Sequence, residues 1–238
     1  MKSDLKTLKS RGFFNKCEIS AIDDLNPDKI IELLYDSAPN IRSAAVKKIA
    51  ELKNENHIPI LCELLKNEKK LYTKIALSDA LIGYGAKAAP FLTALFGKIG
   101  NNQHNKPAMV DLKKLSFPLP RDITARITAR IGPAALDELE KVLKCGDLHQ
   151  ITEAIDAIGH IAYNFKDIKS ENALFETLNK YPRNELILWK IIRAFQAFPS
   201  ERVIKYLLGM VTEEKDEILI AEAKRSLDRI KRNRSTSQ

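Results

Sequence analysis

Of 238 residues, 45% are hydrophobic and only 9 are Gly and 10 Pro, while Ala, Leu, Ile, Lys and Glu abound; this excludes a disordered chain and favours a helical one with a sizeable core. The formal charge of +8 divides into net +6 over 1–119, −3 over 120–223 and +5 over 224–238, so no uniformly basic surface is implied. Three scattered cysteines without a CxxC pair, no apolar run of about eighteen residues and a charged first dozen residues argue against disulfides, zinc, a membrane and secretion, and a cytoplasmic location is expected.

Residues 1–26 read as an N-terminal cap. Leu5 and Leu8 suit a short helix stopped by Gly12, and Phe13, Phe14, Ile19, Ile22 and Leu25 form an apolar lead-in that would cover the open face of a first repeat. Pro27, well placed for a first helical turn, begins the clearest unit, which runs to about Lys53. An apolar helix ends in Leu33-Leu34, Asp36 and a Pro39-Asn40 turn follow, and a second helix opens at Ile41-Arg42 and carries Ala44, Ala45, Ile49 and Leu52. IPILCELLKN and YTKIALSDALIGYG repeat the plan, with Ala76 falling 31 positions after Ala45.

A third unit starts at AKAAPFLTALFGKIG, is interrupted over about 101–120, and resumes as RDITARITARIG. Within the interruption Pro107 is placed to begin a short helix through Leu115, and FPLP to end it. The fourth unit is PAALDELEKVLKC with HQITEAIDAIGHIA; the fifth is ENALFETLNKYPRNELILWKIIRAFQAF; the sixth is SERVIKYLLGMV with DEILIAEAKRSLDRIKR. Asn233 to Gln238 is a polar tail expected to fray. Each pair carries apolar stripes at i, i+3, i+4 and i+7 that two helices alone cannot cover, so successive pairs must bury one another.

Asp36 at the turn, then Ile41-Arg42 and a run of alanines, resembles the HEAT repeat, and the ALSDALIGYG ending of the second unit is similar to the phycobilisome-lyase type of HEAT-like repeat. Over about 27–232 the resemblance implies an all-α fold: a right-handed α-solenoid, or superhelix, of about six helical hairpins. Its second helices would line a concave binding surface. The resemblance also implies an Asp–Arg polar ladder between repeats, from which the second unit departs, having Asn67 and Thr73 at those places.

With second helices as the binding face, helical spacing assigns Ser43, Lys47, Lys74, Ser78, Asp122, Arg126, Arg130, His149, Glu153, Asp156, His160, Glu185, Trp189, Arg193 and Gln196 to outward positions. The expected partner-binding set is Lys47, Lys74, Arg126, Arg130, Glu153, Asp156, Trp189 and Arg193, with Glu153 and Asp156 pairing to Arg130 and Arg193. Trp189 reads either as an interface anchor or stacking platform, or as a side chain packed on the next repeat; packing is the simpler expectation.

Metal spacing exists within His149/Glu153 and within Asp156/His160, but the two histidines stand roughly 16 Å apart along a helix, so no metal is expected. No histidine is followed by Glu, unlike the His-Glu dipeptides of HEAT-like metal hydroxylases. No Ser or Cys has a His at nucleophile spacing, and no Gly-rich loop leads to Lys-Ser/Thr. Accordingly no catalytic residue and no cofactor is assigned. The function expected is a non-enzymatic protein-binding scaffold. The alternative is a nucleic-acid-binding or base-repair protein of the HEAT-like alkylpurine DNA glycosylase type, in which Lys47, Lys74, Arg126 and Arg130 would meet phosphates and Glu153 and Asp156 would interrupt them.

Overall fold

The computed structural model describes residues 4–109 and 116–235, and among these every regular element is helical, with no strand. No helix among them is long and apolar enough to cross a membrane. The chain divides into two compact units, residues 1–91 and 92–238.

In the first unit, α1 (Leu5–Ser10) and α2 (Lys16–Ser20) precede two helix pairs, α3 (Pro27–Leu33) with α4 (Pro39–Glu51) and α5 (Ile58–Asn67) with α6 (Leu71–Gly83). Local chemistry sets the helix starts. The Asn26 side chain accepts from Lys29 N at 2.9 Å just ahead of Pro27, and Asp36 accepts from Ala38 N at 2.7 Å just ahead of Pro39. Helix α5 buries Ile58, Leu61, Cys62 and Leu65, spaced i, i+3, i+4 and i+7. Each such Leu or Ile contributes about 1.5–3 kcal/mol on leaving water. Ala44 and Ala45 of α4 are fully buried, and α4 lies directly against α6.

Polar links cross between these pairs. Ser43 Oγ donates to Thr73 Oγ1 at 3.0 Å, and Arg42 forks onto both carboxylate oxygens of Glu68 at 3.0 Å. Thr73 thus takes part in the inter-pair ladder as a hydroxyl, and the acidic partner of Arg42 sits one residue past Asn67. The N-terminal segment reaches beyond the first pair. Tyr72 N donates to Arg11 O at 3.0 Å, and Gly12, at φ +93, lies so close that a Cβ there would stand 2.8 Å from Thr73 N.

The chain passes from one unit to the other within α7 (Ala89–Thr93). The second unit then holds α8 (Ile123–Ile131), α9 (Leu136–Cys145), α10 (Leu148–Phe165), α11 (Glu171–Lys180), α12 (Glu185–Ala194), α13 (Glu201–Glu213) and α14 (Glu217–Ser235). Helix α10 packs on α8, α9 and α12, and α12 in turn on α11 and α14. The second helices α8, α10, α12 and α14 are therefore successive neighbours, and α9 likewise adjoins α11. Ile151, Ala154, Ile155, Ile158, Ile161 and Ala162 of α10 are buried between them. Helix α14 continues through Ser235, so Asn233 to Ser235 of the polar tail are helical; residues 236–238 lie outside the described residues.

Phe117 of the interruption is buried against Gly159, His160 and Tyr163 of α10, so this part of 101–120 belongs to the core of its unit. The short helix expected from Pro107 needs correction. Residues 107–109 are not helical, and 110–115, the rest of the short helix expected to Leu115, lie outside the described residues.

Candidate functional site

The second unit gathers charge where sequence periodicity expected an open face. Glu153 and Asp156 rise from α10, and Lys190 and Arg193 descend on them from α12; all four are nearly fully buried. Lys190 Nζ donates to Glu153 Oε1 at 2.7 Å and to Thr152 O at 3.1 Å, and lies 3.1 Å from Asp156 Oδ2. Its three donors are thus engaged. Arg193 donates through one terminal nitrogen to Asp156 Oδ1 and stacks 4.2 Å from the centre of the Trp189 ring.

These pairs shift the titration of the groups in them. Burial pushes the Glu153 carboxyl up to about 7, helped by the nearby Asp156 charge and opposed by Lys190. Burial would raise Asp156 as well, but Arg193 and Lys190 together hold it below the usual carboxylate range. Among the described residues four buried polar atoms have no hydrogen-bond partner, and two of them stand here: Glu153 Oε2 and the indole Nε1 of Trp189. Each such group costs about 1–3 kcal/mol of lost solvation.

What closes this face are the described parts of the segment between α7 and α8. Asp122 anchors its far end as the buried N-cap of α8, accepting from Thr124 N at 2.8 Å and Ala125 N at 2.9 Å through Oδ1. Its other oxygen accepts from Gly97 N at 3.1 Å and Gln103 Nε2 at 2.8 Å. Thus one carboxylate ties both ends of the segment together. His104 then stands edge-on to Trp189, ring centroids 4.8 Å apart, and Phe117 covers Gly159. Between segment and helices remains a cavity of about 480 Å³ whose lining includes His104, Phe117, Arg121, Asp156, Arg193 and Arg225. Burial, reinforced by Arg193 and Arg121, pushes His104 down to about 4, so its imidazole is neutral at physiological pH.

The first unit carries a different kind of concavity. Phe13 and Phe14, from the loop between α1 and α2, face Ala50 of α4 and Tyr72, Ile75, Ala76, Ala80 and Gly83 of α6 across a groove of about 550 Å³. Phe13 meets Tyr72 edge-on at 5.6 Å, and Ile75 is 44% exposed in the groove. Both signs of charge lie along it, with Lys47 and Lys53 beside Glu51 and Asp79. Lys47 pairs with Glu51 at 3.9 Å, and Lys53 donates to Gly83 O at 3.0 Å.

The residues expected on one binding face therefore separate. Lys47 lines the first unit's groove, and Lys74 is half-buried on α6 outside the lining of that groove. In the second unit Arg130 is exposed on α8, while Arg126 is half-buried and donates to Pro120 O at 3.0 Å. Glu153, Asp156, Trp189 and Arg193 come together, but as buried groups. Of the expected pairings, Asp156 with Arg193 is present, whereas Glu153 takes Lys190 in place of Arg130. Ser43, Asp122 and Gln196, also expected outward, are buried. No three His, Cys, Asp or Glu among the described residues gather as a metal site.

Sequence reasoning passed over Lys190, His104, Arg121, Arg225 and Phe117. For Lys190 a signal existed: Ile187, Ile191 and Ala194 mark the buried stripe of α12, and Lys190 falls on that stripe at i+3. No known family model matches the chain, and no curated protein matches it closely enough to count as a relative.

Proposed function

We propose that this chain is a HEAT-like helical-repeat protein, built as a right-handed solenoid of about six hairpins, and that it binds a protein partner without catalysing a reaction. Successive adjacency of second helices inside each unit, with α4 beside α6 and α10 beside α12 beside α14, supports the repeat reading. The observation that carries the binding reading is the groove of the first unit. Its floor is small and apolar (Ala50, Ala76, Ala80, Gly83), its walls are aromatic or branched (Phe13, Phe14, Tyr72, Ile75), and its rim has both charge signs.

Such a groove suits an amphipathic helix that presents apolar side chains at i, i+3 or i+4. A phosphate backbone would instead need unpaired cations, and Lys47 and Lys53 are both engaged. The test compares wild type with Ile75→Asp and with Ala76→Trp, both at groove positions with some exposure. Partner capture from a cell extract, quantified by mass spectrometry, should yield a protein held by wild type and by Lys74/Arg126/Arg130→Ala, and lost from both groove variants. Oligonucleotides should bind weakly. Tight oligonucleotide binding with a steep salt slope, abolished by the triple alanine variant and untouched by Ile75→Asp, would overturn the reading in favour of a nucleic-acid site.

A further inference from the structure

The cavity of the second unit is built differently from the groove of the first, and its chemistry points elsewhere. Among the described residues, three guanidinium groups line it, Arg121, Arg193 and Arg225, against a single carboxylate, Asp156. That carboxylate is already engaged on both oxygens, by Arg193 and by Lys190. Arg225 holds the buried Glu222 and donates to Gln196 Oε1 at 3.3 Å. Arg193 has five N–H donors and spends one on Asp156. Arg121 is exposed and makes no hydrogen bond or ion pair among the described residues. Among the described lining residues, guanidinium groups therefore outnumber carboxylates. Apolar surface comes from Phe117 and its neighbours Pro118 and Leu119, beside the polar Ser116 and His104. At about 480 Å³ the space falls within the range of small-molecule sites.

We propose that this cavity is a binding site for a small organic anion, a carboxylate or phosphate monoester carrying an apolar group. Arg121 and Arg193 receive the anionic head, Arg193 through the donors that Asp156 leaves open. Planar guanidinium forks match the two oxygens of either head group. Phe117 meets the apolar body. His104, neutral in this setting, adds a donor or acceptor at the rim without adding charge. The carboxylate and the phosphate share this chemistry, and titration separates them.

The experiment is calorimetry on the full chain with benzoate and phenyl phosphate, and with inorganic phosphate and benzyl alcohol as controls that carry only one half of the recognition. At least one of the two amphipathic anions should bind saturably and raise the melting temperature, with each control weaker by tenfold or more. Arg121→Ala is the decisive variant, because that side chain makes no hydrogen bond or ion pair to another described residue. It should keep the wild-type melting temperature in the absence of ligand and lose tenfold or more in affinity. Phe117→Leu should weaken the aromatic anions more than inorganic phosphate. Absence of saturable binding at millimolar concentration, or binding that Arg121→Ala leaves unchanged, would overturn the proposal. The groove variants Ile75→Asp and Ala76→Trp should not alter these titrations, so the site stands or falls separately from partner binding.

Discussion

Arg42 and Glu68 grip each other through two parallel hydrogen bonds of 3.0 Å although 26 residues of chain separate them. The arginine's remaining terminal nitrogen donates to Asp36 O at 2.8 Å and Ser37 O at 3.2 Å, so one side chain fastens the turn of the first helix pair to the end of α5. Glu68 in turn accepts from the backbone of Lys69 and Lys70, both at 2.8 Å, and organises the entry to α6. Neither partner is free to drift.

A double-mutant cycle on Arg42→Ala and Glu68→Ala should therefore show a coupling of about 1–2 kcal/mol, above an exposed surface pair and below a deeply buried one. Side-chain exposure of 16% and 7% places the pair between those limits. Urea midpoints of the four proteins give the coupling; a value near zero would mean that the fork is decorative.

Ala45→Leu should destabilise the protein by about 1–3 kcal/mol through overpacking. Ala45 is fully buried on α4, the helix that lies against α6. A denaturant midpoint equal to wild type would place this face of α4 elsewhere.

Gly159→Ala should also destabilise, because a Cβ there would stand 2.7 Å from the tip of Phe117 and 3.0 Å from Ala194 Cβ. Phe117→Ala should cost about 3–5 kcal/mol as a large-to-small change in a buried position. If Phe117 is what crowds Gly159, the double variant should be less destabilised than the sum of the two changes. Full additivity would detach the segment from α10.

Glu153 gives a pH signature with a defined sign. Its carboxyl is raised from 4.5 to about 7, so between those values the folded chain holds a proton that the unfolded chain has released. Stability from this group is present at the low end and lost as pH rises through the window. His104, lowered from 6.5 to about 4, and His160, also lowered by burial, act in the opposite sense and cost stability as pH falls. Wild type should thus show a muted slope, and Glu153→Gln should gain on it by up to about 3 kcal/mol between pH 4.5 and 7. A pH-independent difference between the two proteins would show that Glu153 is not held in this environment.

The helix pairs were legible because their signals are local. Pro27 and Pro39 announce helix starts, and the i, i+3, i+4, i+7 spacing of Ile58, Leu61, Cys62 and Leu65 announces a buried stripe. The inter-pair link was half legible: Asp36 and Arg42 stood out, but Glu68 sits one residue beyond the place where periodicity looks for a partner. The second unit's site was misread for a nonlocal reason. Glu153, Asp156 and Arg193 do share a polar stripe, and spacing alone turns such a stripe toward water. Only the fold brings His104 back against α12 and Phe117 against α10, and no periodicity in NNQHNKPAM signals that return. Lys190 was lost to a habit of sorting charge outward, though its three neighbours on the buried stripe contradicted that.

The chain has one tryptophan, and the structure seats it where light can report on it. Trp189 is wholly enclosed, with a guanidinium on its face and the His104 imidazole at its edge. Its emission should be that of an indole out of water, and a protonated imidazole quenches an adjacent indole by accepting an electron from the excited state. Because His104 resists protonation until about pH 4, the intrinsic fluorescence should stay bright through mild acid and fade only there. Lifting the segment that carries His104 would instead shift the emission to the red. The molecule thus contains, unlabelled, its own optical gauge of whether that crossing is seated.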